Sequence, residues 1–182
     1  MPNALISGIK ENDTRSISKA ITRIENNQRI PNSFYSDLHA SSSGSIRIGI
    51  TGPPGSGKST LTNELIETCL SKNKTVGVIA VDPTSPFTGG ALLGDRVRMN
   101  KYLWDNRVFI RSMGSHGDLG GLARKAQEAG DVLAASGKDF ILFESSTSFA
   151  VTLLIILGFG FIKSVFSILF FIFSEAFFIK EL

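Results

Sequence analysis

The chain has 182 residues, a formal net charge of +3 and 42% hydrophobic residues, which fits one ordinary domain with an appendage. So weak a positive charge, with no basic run of five or more, gives no ground for a nucleic-acid partner. A single cysteine, Cys69, rules out an intramolecular disulfide and reads as a reduced core thiol.

The N-terminal MPNALISGIKENDTR has no long apolar core, so it does not read as a secretory signal, and its early acids argue against a transit peptide. The cytoplasm is the expected compartment. Ile17, Ala20, Ile21 and Ile24 recur at helical spacing, with Asp13 or Thr14 placed to cap the start. Asn26-Asn27 and Ile30-Pro31-Asn32 end that helix. The polar, glycine-containing stretch Ala40–Ser45 reads as a linker. Residues 1–45 are therefore expected to form a helical arm and linker, ahead of a core domain over 46–144.

The core opens with an apolar strand, Ile46–Thr51, followed by Gly52-Pro53-Pro54-Gly55-Ser56-Gly57-Lys58-Ser59-Thr60. Leu61, Leu65, Ile66, Cys69 and Leu70 then mark an amphipathic helix from Lys58 to about Ser71. Strand, glycine-rich loop and helix in that order fit G-x-x-x-x-G-K-[ST], the phosphate-binding loop of nucleoside triphosphatases. Glycines let successive backbone N–H groups turn inward with no Cβ to block a triphosphate. The helix adds the positive end of its dipole. Lys58 would reach the β- and γ-phosphates, and the Ser59 hydroxyl would coordinate Mg²⁺. The bland alternative, a glycine-rich turn that meets the pattern by chance, is opposed by the strand before it and the helix after it.

Val76–Val81 is a continuous apolar run, as expected of a strand buried on both faces of a parallel sheet, and Asp82-Pro83 stops it. Phe87–Gly90 reads as loop, Val97–Trp104 as a short helix and Val108–Arg111 as a third strand. Ser115–Gly121 is again glycine-rich. Leu122, Ala126, Ala129 and Leu133 mark one helix face. Gly137-Lys138-Asp139 turns the chain into a fourth strand, Phe140–Glu144. Strands alternating with helices give an α/β fold with a mostly parallel sheet.

Ligands of such sheets sit beyond the carboxyl ends of the strands. Two strands end there in acids, Asp82 and Glu144, and a third acid, Asp95, lies in Leu93-Gly94-Asp95-Arg96. Mg²⁺ takes only one or two carboxylates beside phosphate oxygens and water, so three acids near one ion would act partly through water. Each could instead be a solvated loop carboxylate or a helix cap. His116, in the second glycine-rich loop, could approach phosphate or act as a base, but such a histidine is more often an exposed polar residue.

Four blocks in order, GITGPPGSGKSTLTNELI, VIAVDPTSPFTGGALLGDRVRM, VFIRSMGSHGDLGGLARKAQEA and DFILFE, resemble the ArgK/MeaB family of P-loop GTPases. That family includes the methylmalonic aciduria type A protein, a GTPase chaperone of adenosylcobalamin-dependent methylmalonyl-CoA mutase. Its members are also called LAO/AO transport system kinases. The resemblance covers about residues 15–144. It implies GTP as substrate, Mg²⁺ as cofactor, a mutase partner and a homodimer. It implies a metal site of Ser59, Asp82, Asp95 and Glu144, with Lys58, Asp82 and Glu144 serving catalysis. Gly52, Pro53, Pro54, Gly55, Ser56, Gly57, Lys58, Ser59 and Thr60 would bind the nucleotide.

The chain departs from the family pattern in places. His116 stands where the family usually has arginine. After Glu144 the family continues T-V-G-V-G-Q-S-E, whereas this chain reads Ser145-Ser146-Thr147-Ser148. The guanine-reading N-K-x-D is not met, because neither Asn73-Lys74 nor Asn100-Lys101 is followed by Asp at the required place. These departures make an incomplete P-loop domain with impaired hydrolysis the expectation. The alternatives are a nucleotide-binding remnant without turnover and a membrane-associated fragment.

Residues 145–182 form an apolar tail carrying nine of the 14 Phe residues, and Thr152–Phe173 holds one charge in 22 residues. That is near the length of a membrane helix, which makes an anchor through 149–173 one reading. Lys163 falls in mid-segment, where a charge costs about 3 kcal/mol. A frameshift or read-through after the shared strand accounts for the same composition and is the preferred reading.

Overall fold

The computed structural model describes residues 2–28, 30–41, 44–52, 55–82, 100–102, 104–114 and 119–145. Its centre is a four-stranded, all-parallel sheet of β1 (Ile46–Thr51), β2 (Val76–Asp82), β3 (Val108–Gly114) and β4 (Phe140–Ser145), in the order β1-β4-β2-β3. The strand last in sequence lies between the first two. Ile50 and Ala80 both stand in register with Glu144, and Asp82 with Gly114. The third strand is longer than the expected Val108–Arg111 because it pairs with the whole of β2 through Met113 and Gly114.

Alternate residues of the strands face opposite layers, as the pleat requires. Ile79, Val81, Phe109, Met113, Ile141 and Phe143 enter one core. Ile50, Val76, Val78 and Leu142 enter the other, with Leu65, Ile66 and Cys69 of α4 (Lys58–Ser71). The first layer is covered by α5 (Leu119–Ala135), which comes very close to the sheet. A Cβ at Gly130 would stand 2.6 Å from Phe143 Cζ, and one at Gly77 would stand 2.7 Å from Leu133 Cδ1.

The arm contains three helices, α1 (Pro2–Lys10), α2 (Thr14–Glu25) and α3 (Asn32–Ser41). The expected helix is α2. Asp13 caps it, its carboxylate accepting from the Ser16 amide at 2.9 Å and the Ser16 hydroxyl at 2.7 Å. Ile17, Ala20, Ile21 and Ile24 are all buried, and each isoleucine contributes roughly 2 kcal/mol by burial. The first and third helices were not expected from the sequence, and α3 occupies the beginning of the stretch read as linker. Their buried residues, Leu5, Ile6 and Ile9 in α1 and Phe34 and Leu38 in α3, join the same core as α5 and the sheet. Polar ties reinforce this. Arg111 of β3 donates to Glu25 at 2.7 Å and Thr22 at 3.1 Å, and Lys125 of α5 donates to the Glu25 carbonyl at 2.9 Å.

Of the helix expected over Val97–Trp104, Asn100–Tyr102 forms a single 3-10 turn. Tyr102 is buried against α4, and Trp104 beyond it is 93% exposed. Among the described residues no helix is long and apolar enough to cross a membrane. The segment 149–173 lies outside them, as does the loop at Phe87–Gly90.

Candidate functional site

The expected phosphate loop joins β1 to α4 at the carboxyl edge of the sheet. Gly55 and Gly57 have φ of 79° and 84°, the left-handed region where a side chain is strained. Gly57 is also the residue from which α4 starts, and no side chain caps that end. The N-terminal end of a helix carries the positive end of its dipole, which favours an anion. Gly52 has a different reason to be glycine: a Cβ there would meet Ser56 Oγ at 2.8 Å and Lys58 Cδ at 3.8 Å. The Lys58 stem therefore runs beside the start of the loop. Ser56 and Thr60 are exposed.

Behind the loop, α4 meets the end of β4. Ser59 Oγ donates to Glu144 Oε1 at 2.7 Å, and Thr62 Oγ1 lies 2.9 Å from Glu144 Oε2 and 2.9 Å from the Lys58 carbonyl. Glu144 is only 7% exposed and Thr62 fully buried. The alternative of a solvated loop carboxylate therefore does not describe Glu144. A hydroxyl and a carboxylate in contact at a helix N-terminus are hard oxygen donors of the kind Mg²⁺ takes, one or two at a time, beside phosphate oxygens and water. The donor set fits that ion.

Asp82 ends β2, two residues beyond the register partner of Glu144, so its backbone reaches the same edge of the sheet. Pro53, Pro54, Asp95 and His116 lie outside the described residues. Cys69, on the sheet side of α4, is a free, buried thiol whose pKa is pushed up to about 11, chiefly by burial. It behaves as the expected core thiol.

Sequence reasoning missed Thr62. Its one signal is position: three residues after Ser59, it lies on the same face of the helix. A threonine inside a helix otherwise carries no mark of function.

A family model described as "Methylmalonyl Co-A mutase-associated GTPase MeaB" matches residues 17–148. A candidate GTPase of Pyrococcus abyssi is 46% identical over 145 residues, covering 80% of this chain and 45% of that protein. The GTPase ArgK of Escherichia coli is 33% identical over 144 residues, covering 77% of this chain and 44% of its own length. The crystal structure of a LAO/AO transport system kinase matches with a TM-score of 0.58 over 81% of this chain and 44% of that one. At 23% identity that likeness is one of fold. This chain spans less than half the length of these relatives.

Proposed function

The chain belongs to the MeaB family of methylmalonyl-CoA mutase-associated GTPases, and on that premise we propose that it binds GTP with Mg²⁺ and hydrolyses it slowly. The observation that carries the reading is the left-handed glycine loop running into α4 with Ser59 bonded to Glu144. The loop amides and Lys58 would take the phosphates, while Ser59 and Glu144 would hold the cation, with Asp82 and Asp95 as further metal-site residues. Mg²⁺, when bound, neutralises charge on the β- and γ-phosphates. Lys58 adds a fixed positive charge, and the buried Glu144 orients the Ser59 hydroxyl. Lys58, Asp82 and Glu144 are the proposed catalytic set.

Hydrolysis is proposed to be impaired, because the glycine-bearing T-V-G-V-G-Q-S-E does not follow Glu144 in this chain. A mutase partner and a homodimer are carried over from the family as parts of the same proposal.

Calorimetry of GTP binding by the full chain in Mg²⁺ tests the reading. Lys58→Ala is expected to weaken binding about a hundredfold, the loss of a charged hydrogen-bonding partner to phosphate. Equal affinity of parent and variant would remove the proposal.

A further inference from the structure

Two hydroxyls one helical turn apart on α4 each claim one oxygen of the Glu144 carboxylate. Ser59 takes Oε1 at 2.7 Å and Thr62 takes Oε2 at 2.9 Å. Ser59 belongs to the phosphate-loop pattern and Thr62 does not. We infer that Thr62 is a positioning residue for the cation half of the site, fixing the Glu144 carboxylate so that Oε1 stays on Ser59. The inference rests on the nucleotide reading above and names how this chain sets its affinity for the cation.

The proton count supports it. Thr62 carries one hydroxyl proton, and its two neighbours, the Lys58 carbonyl and Glu144 Oε2, are both acceptors. The Lys58 carbonyl also lies where the helix's own i+4 amide donates. A carboxylate is the stronger acceptor, so the proton goes to Glu144. Threonine is stiff about χ1, which holds its oxygen in place. The terminal torsion of a glutamate, in contrast, is broad and needs an external hold. Thr62 is fully buried and Glu144 is 7% exposed, so little water is at hand to replace the hydroxyl. Without it, Oε2 is buried and unmatched, and the carboxylate turns away from the orientation in which Oε1 meets Ser59.

A purely structural role makes a different prediction. Threonines in helices often bond back to the i−4 carbonyl. If that were the whole role here, Mg²⁺ would be indifferent to the hydroxyl.

The test is calorimetric GTP binding by the full chain over a range of Mg²⁺ concentrations and in EDTA. Thr62→Val is expected to raise the Mg²⁺ concentration for half-maximal binding about tenfold and to leave affinity in EDTA unchanged. Thr62→Ser should restore the parent's Mg²⁺ dependence. In a Glu144→Gln background, Thr62→Val should add nothing. If the valine variant does not fold, Thr62→Ala removes the same hydroxyl and carries the test. A parent-like Mg²⁺ dependence, an equal loss in EDTA, or a full effect without the Glu144 carboxylate would each overturn the inference. GTP binding that is indifferent to Lys58→Ala would instead overturn the nucleotide reading, and this inference with it.

Discussion

An acid stands near each end of β4, and the two ends differ in what answers it. Asp139, just before the strand, accepts from the Thr75 amide at 2.8 Å, the Thr75 hydroxyl at 2.9 Å and Lys74 Nζ at 3.1 Å. The Thr75 amide first, with Lys74 and the Thr75 hydroxyl adding to it against an opposing push from burial, holds this carboxyl below its ordinary pKa. Glu144, near the other end, meets the hydroxyls of Ser59 and Thr62. Of the three donors to Asp139, an amide and an ammonium have no lone pair left for a cation, and the Thr75 hydroxyl already accepts from the Asp139 amide at 2.9 Å. A hydroxyl that has donated its proton still has lone pairs to offer. The same strand thus begins at a lock and ends at the proposed site, and the two differ in whether the donors keep lone pairs for a cation.

The largest expected effect concerns the site alone. In a chain whose residues after Glu144 read T-V-G-V-G-Q-S-E, single-turnover GTP hydrolysis should rise about a hundredfold, the usual worth of one transition-state contact. Binding should change far less, since the phosphate loop supplies most ground-state contacts. Rates that agree within a few-fold would mean that this segment is not limiting.

The lock is tested through stability. Asp139→Ala should lower unfolding free energy by about 2 kcal/mol at neutral pH, from hydrogen bonds lost at a side chain that is 35% exposed, without altering GTP affinity. The sign follows from the depressed pKa of Asp139. Its stabilisation is fully present above the unfolded value near 3.9 and is lost as pH falls through the folded one. Urea midpoints of parent and variant should therefore converge below about pH 4. A constant gap would show that the carboxylate's charge is not what Thr75 and Lys74 hold.

What the sequence made legible follows from how local each signal is. The helix α2 announced itself through four apolar residues at one spacing and an aspartate cap. The helix α3 did not, because Phe34 and Leu38 are its only two buried residues. One i, i+4 pair is too little periodicity in a polar decapeptide, and the packing against α5 that accompanies it is tertiary. Glu144 was readable as a strand-end acid because position along a parallel strand is a sequence property. Thr62 was not, since its role depends on α4 lying beside the end of β4. Asp139 read as part of a turn for the same reason, its partners Lys74 and Thr75 lying 64–65 residues away.

The most direct test sets Glu144→Gln against the parent in GTP calorimetry, once with Mg²⁺ and once with EDTA. A cation site at this end of β4 predicts a loss of about tenfold with Mg²⁺, on the scale of one charge-assisted contact, and no loss in EDTA. Equal affinities in Mg²⁺, or the same loss in both conditions, would contradict the assignment of Glu144 to the cation.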